Sequence, residues 1–279
     1  MKHIILTALQ ILLASITFAQ RNNVESFLPQ LFYQFPNVRD IAISTYEDEI
    51  YFSVQSYVDE VSFIAFSKKE NNKWSGPELV NFSGKYFDIE PFLSLDGLRL
   101  YFSSNRPMNE TETDSKDFDI WYVQRKDKNS EWSAPINIGE PINADKNEFY
   151  PSLAKNNNLY FTTDGPGSLG KDDIFFSKWE NGKYSNPVSL SDSINSEGYE
   201  FNAFIAPDES YIIFSGYQRG DGFGSGDLYI SHKTPDSLWT KAKNLGAGIN
   251  SDKMDYCPFV NIKSNMLYFT SKRTNVNNS

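Results

Sequence analysis

A two-residue pattern recurs five times along this chain, as Tyr51-Phe52, Tyr101-Phe102, Tyr160-Phe161, Ile213-Phe214 and Tyr268-Phe269. Successive copies lie 50, 59, 53 and 55 residues apart. Such a period restricts the fold more than composition does, because each unit is a supersecondary piece that buries its apolar face only against its neighbours. About ten residues upstream of each pair lies another apolar run: Asp40 to Ser44, Glu90 to Ser94, Tyr150 to Leu153, Asn202 to Ile205 and Cys257 to Val260. Downstream, an acid opens a third run in Asp119-Ile-Trp, Asp173-Ile-Phe and Asp227-Leu-Tyr, with Val61 to Phe66 in its place in the first copy. A fourth run opens on an aromatic residue, at Trp74, Trp132, Tyr184 and Trp239. Asp96-Gly97 is a tight-turn pair between the first and second runs. No amphipathic helical pattern of useful length follows residue 19, so the chain reads as all-β. Four short strands per unit, with turn residues between, predict the four-stranded blades of a β-propeller. The units span approximately 39–86, 87–147, 148–199, 200–254 and 255–279.

The ends carry their own expectations. The fifth unit reaches Ser279 after its second strand, so a third strand is expected past that residue. Phe27 to Phe35 reads as a lone fourth strand that completes the last blade, since closing the ring removes two exposed edges. Five blades fit the count best, with six as the alternative if more sequence follows.

Residues 1–19 combine Lys2, an apolar Ile4 to Ile16 and a small-residue end at Thr17-Phe-Ala19. This is the pattern of a cleavable secretory signal, too short for a membrane span. No cysteine lies near the cleavage point, which argues against a lipid anchor, and no later run is long enough to cross a bilayer. The remainder carries 25 basic against 36 acidic residues, a net charge of −11. That charge excludes nucleic acid as the expected partner, because binding a polyphosphate needs a basic surface. The sole cysteine, Cys257, lies in a strand pattern and is expected as a small buried hydrophobe.

The best-formed unit, Glu-Pro-x-x-Ser-x-Asp-Gly-x-x-Leu-Tyr-Phe-Ser-Ser-x-Arg over 90–106 followed by Asp119-Ile-Trp121, resembles the WD40-like propeller repeat known as PD40. That repeat is found in TolB-type periplasmic propellers and in many secreted or outer-membrane-associated proteins of Bacteroidetes-type bacteria. The resemblance covers roughly 28–279, is closest over 88–135 and is weakest over 39–80. It implies a propeller and, by analogy with TolB, a scaffold for protein–protein contact. Related propellers accompany a hydrolase domain in prolyl-oligopeptidase-type peptidases, for which a chain of this length leaves no room. Ser94-Leu-Asp96-Gly97 departs from the sialidase Asp-box, with Gly directly after Asp and no Trp.

Function in such a fold concentrates in long loops on a rigid scaffold. The loops between second and third strands (Asn105 to Lys116, Asp164 to Gly170 and Gly216 to Gly226) and the inter-blade loops open on one face. The inter-blade loops share a motif, Pro141-Ile-Asn, Ser193-Ile-Asn and Gly248-Ile-Asn. On this face Asp164, Asp172, Asp221, Tyr217 and Phe223 are candidate contact residues. The aromatic pair is suited either to stacking on sugar or peptide or to anchoring its own loop.

An acid precedes the first strand in four copies, at Asp88, Glu148, Glu200 and Asp255, with Arg39 in the corresponding place of the first. Two uses are open. The acids could ring the channel mouth and hold a cation such as Ca²⁺, which favours several oxygen ligands. Alternatively each pairs with Arg106, Arg219 or Arg273, or with backbone N–H groups, and ties blades together. The glycines at 165, 167 and 170 precede no helix and so make no phosphate cradle. His232 is the only histidine outside the signal, and no Gly-x-Ser-x-Gly elbow is present, which leaves no basis for a serine triad. Zinc would need more His or Cys ligands. Glycoside hydrolysis needs only two carboxylates. The chain is thus expected to be an exported, monomeric, non-enzymatic propeller that binds a protein or cell-envelope component, with a carbohydrate-binding or glycoside-hydrolase-like propeller as the alternative.

Overall fold

The computed structural model describes residues 24–108 and 117–273. The signal-like segment, most of the loop from Asn105 to Lys116 and the expectation placed on residues past Arg273 therefore lie outside the described residues.

Four sheets and a fifth, two-stranded one follow one another along the chain. Blade 1 holds β1 (Asn37–Ile43), β2 (Glu49–Gln55), β3 (Ser62–Glu70), β4 (Lys73–Trp74) and β5 (Glu78–Leu79). Blade 2 holds β6 (Asp88–Leu93), β7 (Arg99–Ser104), β8 (Asp119–Gln124) and β9 (Ile136–Asn137). Blade 3 runs from β10 (Glu148–Leu153), β11 (Leu159–Thr163) and β12 (Asp173–Ser177), past a small hairpin of β13 (Trp179–Glu180) and β14 (Lys183–Tyr184), to β15 (Val188–Ser189). Blade 4 holds β16 (Tyr199–Ile205), β17 (Tyr211–Tyr217), β18 (Asp227–His232) and β19 (Lys243–Asn244). The fifth sheet is β20 (Asp255–Asn261) with β21 (Met266–Ser271).

All in-blade pairing is antiparallel. The first strands touch in ring order, β1 with β6, β6 with β10, β10 with β16 and β16 with β20, and β20 meets β1. Five inner strands thus surround one channel. Apolar clusters lie between successive blades: one between blades 1 and 2 around Tyr51, Phe102 and Trp121, one between blades 2 and 3 around Phe161 and Ile120, and one between blades 3 and 4 around Tyr160 and Phe214. The fourth joins β20 and β21 to blades 4 and 1 through Phe204, Phe259, Ile50 and Phe52.

Two sequence expectations change. Phe27 to Phe35 is not a strand: Pro29–Phe32 is one helical turn, α1, with Leu28 left-handed before it and Pro29 opening it. Proline fits the first turn of a helix but cannot donate to a strand ladder. The segment buries Leu31 and sets Phe27 on Tyr268 (4.7 Å between centroids) and Phe32 on Phe52 (5.0 Å). It seals the seam between β21 and blade 1 by side-chain packing. The aromatics at 74, 132, 184 and 239 also do not begin the fourth strands, which are the two-residue pieces about four residues further on. Trp74 and Tyr184 instead pair in short hairpins, on Lys69 and Trp179.

Candidate functional site

Every inner strand is interrupted by a bulge at the same place. The pairing register shifts between Arg39 and Ile41, Ile89 and Phe92, Phe149 and Ser152, Phe201 and Phe204, and Tyr256 and Phe259. Inside each shift sits a non-glycine residue with positive φ: Asp40 (54°), Glu90 (61°), Tyr150 (50°), Asn202 (51°) and Cys257 (53°). A left-handed residue in a bulge re-aims its side chain, and here the five converge.

They form one bonded cluster across the channel. Arg39 Nε donates to Asp40 (2.8 Å) and its Nη2 donates to Glu90 (3.0 Å). Asn202 Nδ2 donates to Glu90 Oε1 (3.1 Å), the Tyr150 N–H donates to Glu90 Oε2 (2.7 Å), and Cys257 Sγ donates to Asn202 Oδ1 (3.4 Å). The Tyr150 hydroxyl donates to the Pro258 carbonyl (3.0 Å), which ties blade 3 to β20. Arg39 lies over the Tyr256 ring at 5.3 Å. Burial pushes the Glu90 carboxyl up to about 7, against the pull of Arg39, and pushes the Cys257 thiol well up. Asp40 and Glu90 are 1% and 4% exposed and Arg39 is 19% exposed. This is a plug, with Arg39 as its most accessible group.

The four acids lie two residues earlier on their strands, and three of them pair with arginines. Asp88 pairs with Arg106 at 2.6 Å, Glu200 with Arg219 at 2.8 Å and Asp255 with Arg273 at 2.7 Å. Each guanidinium also donates to a carbonyl of the preceding inter-blade loop, at Phe82, Ile194 and Ile249 respectively. Serine hydroxyls from those loops, Ser83, Ser196 and Ser251, donate to the same acids. The oxygens are thereby committed to blade-to-loop ties. The bulge also corrects the alignment of the first copy: Arg39 pairs with Ser53 as Ile89 pairs with Ser103, so Arg39 belongs to the channel row and Val38 stands where the other blades have an acid. Glu148 departs from the rule, with no arginine partner among the described residues.

The Ile-Asn motif is structural too. Asn143 Oδ1 accepts from the Ile120 N–H (2.9 Å) and its Nδ2 donates to the Ile120 carbonyl (3.0 Å). Asn195 does the same on Ile174 and Asn250 on Leu228. The amide extends each blade's third strand by one side chain, and buried backbone groups need such partners.

The loop candidates divide. Asp221 accepts from the Tyr229 hydroxyl (2.9 Å), and Asp164 pairs with Lys146 (3.4 Å). Burial and then Asp164 and Asp173 raise the Asp172 carboxyl. Asp173 and Asp227 fold their own loops, accepting from the Leu169 and Phe223 N–H groups. Gly170 and Gly224 are required by close approach: a Cβ on either would overlap carbonyl oxygens of the next inter-blade loop. Tyr217 rests against Tyr199 (5.6 Å), while Phe223 is exposed. His232 ends β18, its ring 6.3 Å from that of Tyr211. Among the described residues, no group of three or more His, Cys, Asp or Glu is arranged to hold a metal.

The opposite end of the channel is apolar. Ile43, Leu93, Leu153, Ile205 and Val260, which end or nearly end the five inner strands, line a shallow pocket rimmed by Leu95.

The fold is that of known propellers. The chain is similar to TolB from Acinetobacter baumannii (TM-score 0.50, 14% identity, 78% of this chain and 45% of that one). It is also similar to a thermostable family-43 glycoside hydrolase (TM-score 0.52, 11% identity, 84% and 83%) and to a gluconolactonase from Xanthomonas campestris (TM-score 0.50, 10% identity, 83% and 68%). The chain spans less than half the length of that TolB structure. At these identities the likeness is one of fold. No family model matches the chain, and no curated protein matches it.

Proposed function

We propose that this chain is an exported binding propeller whose loop-rich face takes up a protein or another cell-envelope component. One observation carries the proposal. Each of the first four blades sends a large apolar side chain into solvent from its loop between second and third strands: Tyr57 (85% exposed) and Val58, Met108, Leu169, and Phe223 (52%). Apolar groups held in solvent on a rigid rim gain free energy when a partner covers them. The plugged channel supports the same reading, since it leaves the rim rather than the bore as the place of contact.

A glycosidase needs two reachable carboxylates about 5–10 Å apart. Asp40 and Glu90 are the channel pair, but both are buried and both are held by Arg39. That arrangement supports binding over hydrolysis. The test is photocrosslinking in intact cells with a benzophenone side chain at 57 or 223, and at 46 or 262 on the short-turn face. A discrete adduct from 57 and 223 alone is expected. Adducts only from 46 and 262, or none from 57 and 223, would overturn the proposal.

A further inference from the structure

Blade 3 breaks the lock that blades 2 and 4 and the β20–β21 sheet repeat, and it breaks it on one side only. In blade 2 the guanidinium of Arg106 sits among Asp88, the Ser104 hydroxyl (2.9 Å from Nε) and the rings of Phe102 (4.9 Å) and Trp121 (5.5 Å). At β20 and β21 the same set is Arg273 with Asp255, Ser271 (2.7 Å) and Phe269 (5.4 Å). In blade 4 it is Arg219 with Glu200, Tyr229 (4.6 Å) and Phe214 (5.8 Å). Blade 3 retains the acid, the hydroxyl and the rings. Glu148 is the cross-strand partner of Thr163, as Asp88 is of Ser104 and Asp255 of Ser271. Phe161 and Phe175 pair as Phe102 and Trp121 do. What is missing, among the described residues, is the cation. Gly165 stands where Arg106 and Arg273 stand, and Ala144 replaces the serine of Ser196 and Ser251.

The groups left behind are buried and poorly matched among the described residues. Glu148 is 1% exposed, and among the described residues its one hydrogen bond comes from the Ala144 N–H at a long 3.4 Å. Thr163 is 5% exposed, and its Oγ1, the counterpart of the oxygen that receives Arg Nε in blade 2 and at β21, has no partner among the described residues. A Cβ placed on Gly165 would meet that Oγ1 at 3.5 Å, an ordinary contact, so a side chain at 165 is accommodated beside the hydroxyl. Ala144 is exposed and Gly165 is half-buried, and they flank the opening. A buried carboxyl held by one long hydrogen bond and a buried hydroxyl with no partner among the described residues are costly. A planar donor that stacks on aromatic rings satisfies both at once.

We propose that this slot is a receptor for a guanidinium group, the arginine side chain of a partner, which supplies in trans the lock that blades 2 and 4 and the β20–β21 sheet supply in cis. The site deepens the reading of the loop-rich face as a docking face, but its test uses a small compound, so the two fail separately. Burial, followed by Asp119, Asp117 and Asp164, pushes the Glu148 carboxyl up to about 8, while Lys146 is engaged with Asp164. A cation entering at neutral pH therefore displaces a proton.

The experiment is an NMR titration of the purified chain with N-acetyl-arginine amide, followed at the amides of Ala144, Asp164 and Gly165. N-acetyl-citrulline amide is the neutral isostere. The expected result is saturable shifts with the arginine compound only, stronger at pH 8.5 than at pH 6. Gly165→Arg should abolish the shifts and raise the melting temperature, since it restores the lock in cis; Glu148→Gln should abolish them as well. Equal response to citrulline, no saturable shift, or binding that survives Gly165→Arg would overturn the proposal. So would displacement by Ca²⁺ with no response to arginine, which would make the slot a metal site.

Discussion

At the residue scale, much of this fold is written in side chains that stand in for backbone. Asn195 accepts from the Ile174 N–H and donates to the Ile174 and Leu190 carbonyls and to Ser189, all in a buried setting. Asn195→Ala leaves a buried donor and acceptor unmatched, at about 1–3 kcal/mol each before relaxation. We expect a loss of about 2–4 kcal/mol in urea unfolding with an unchanged m-value. Glu148 gives the opposite case. Its folded carboxyl titrates near 8 against an ordinary 4.5, chiefly through burial. The folded chain thus holds a proton that the unfolded chain releases in between. The stability that this group contributes is complete below pH about 4.5 and is lost as pH rises through about 8. Glu148→Gln is expected to leave stability at pH 4.5 nearly unchanged and to raise it at pH 9 by roughly 1–3 kcal/mol. Equal effects at both pH values, in urea midpoints, would remove the argument. Cys257 is fully buried with its thiol pushed up. A thiol held neutral and covered reacts only after opening, so labelling by a thiol reagent should track global unfolding rather than thiol concentration.

At the element scale, the repeat was legible because first, second and third strands carry strong signals: β-branched and aromatic runs, Asp-Gly or Asn-rich turns and an acid that opens the third. The fourth strands were misplaced because two-residue strands carry almost no pattern, whereas the neighbouring Trp and Tyr do. α1 was misread because Phe27 to Phe35 is apolar enough for a strand, and only Pro29 within it argues otherwise. The lock acids and their arginines were visible as repeat positions, although the choice between cation site and lock needed geometry. The channel plug was missed. Its five bulge residues differ in chemistry, Asp, Glu, Tyr, Asn and Cys, and each opens a first-strand copy rich in apolar residues. A position that varies and stays mostly polar inside a constant apolar frame was the available signal, but nothing in spacing alone shows a bulge. Leu31→Ala tests the role of α1. It removes the one buried side chain that anchors the segment over Phe52. A cost of about 2–4 kcal/mol is expected, with blade-1 and β21 amides losing hydrogen-exchange protection before those of blade 3.

At the scale of the whole molecule, a five-strand ring fixes what the channel and the faces are for. Blades join through apolar clusters between sheets, through the Asp/Glu–Arg ties above and through one buried bidentate bridge, Glu49 to Arg125 (3.0 and 2.5 Å), that clamps blade 1 to blade 2. The bore is filled by Arg39 and the five bulge residues. Stability is thus expected to rest on the bore and the proposed contact on the rim. The most direct test carries a benzophenone at position 223 and compares two backgrounds, Tyr57→Ser with Leu169→Ser on the rim and Glu90→Gln in the plug. We predict that the rim pair keeps the melting temperature and loses the crosslinked adduct, while Glu90→Gln lowers the melting temperature and keeps the adduct wherever it remains folded. An adduct that survives the rim pair but disappears in folded Glu90→Gln would contradict the account and place contact in the channel.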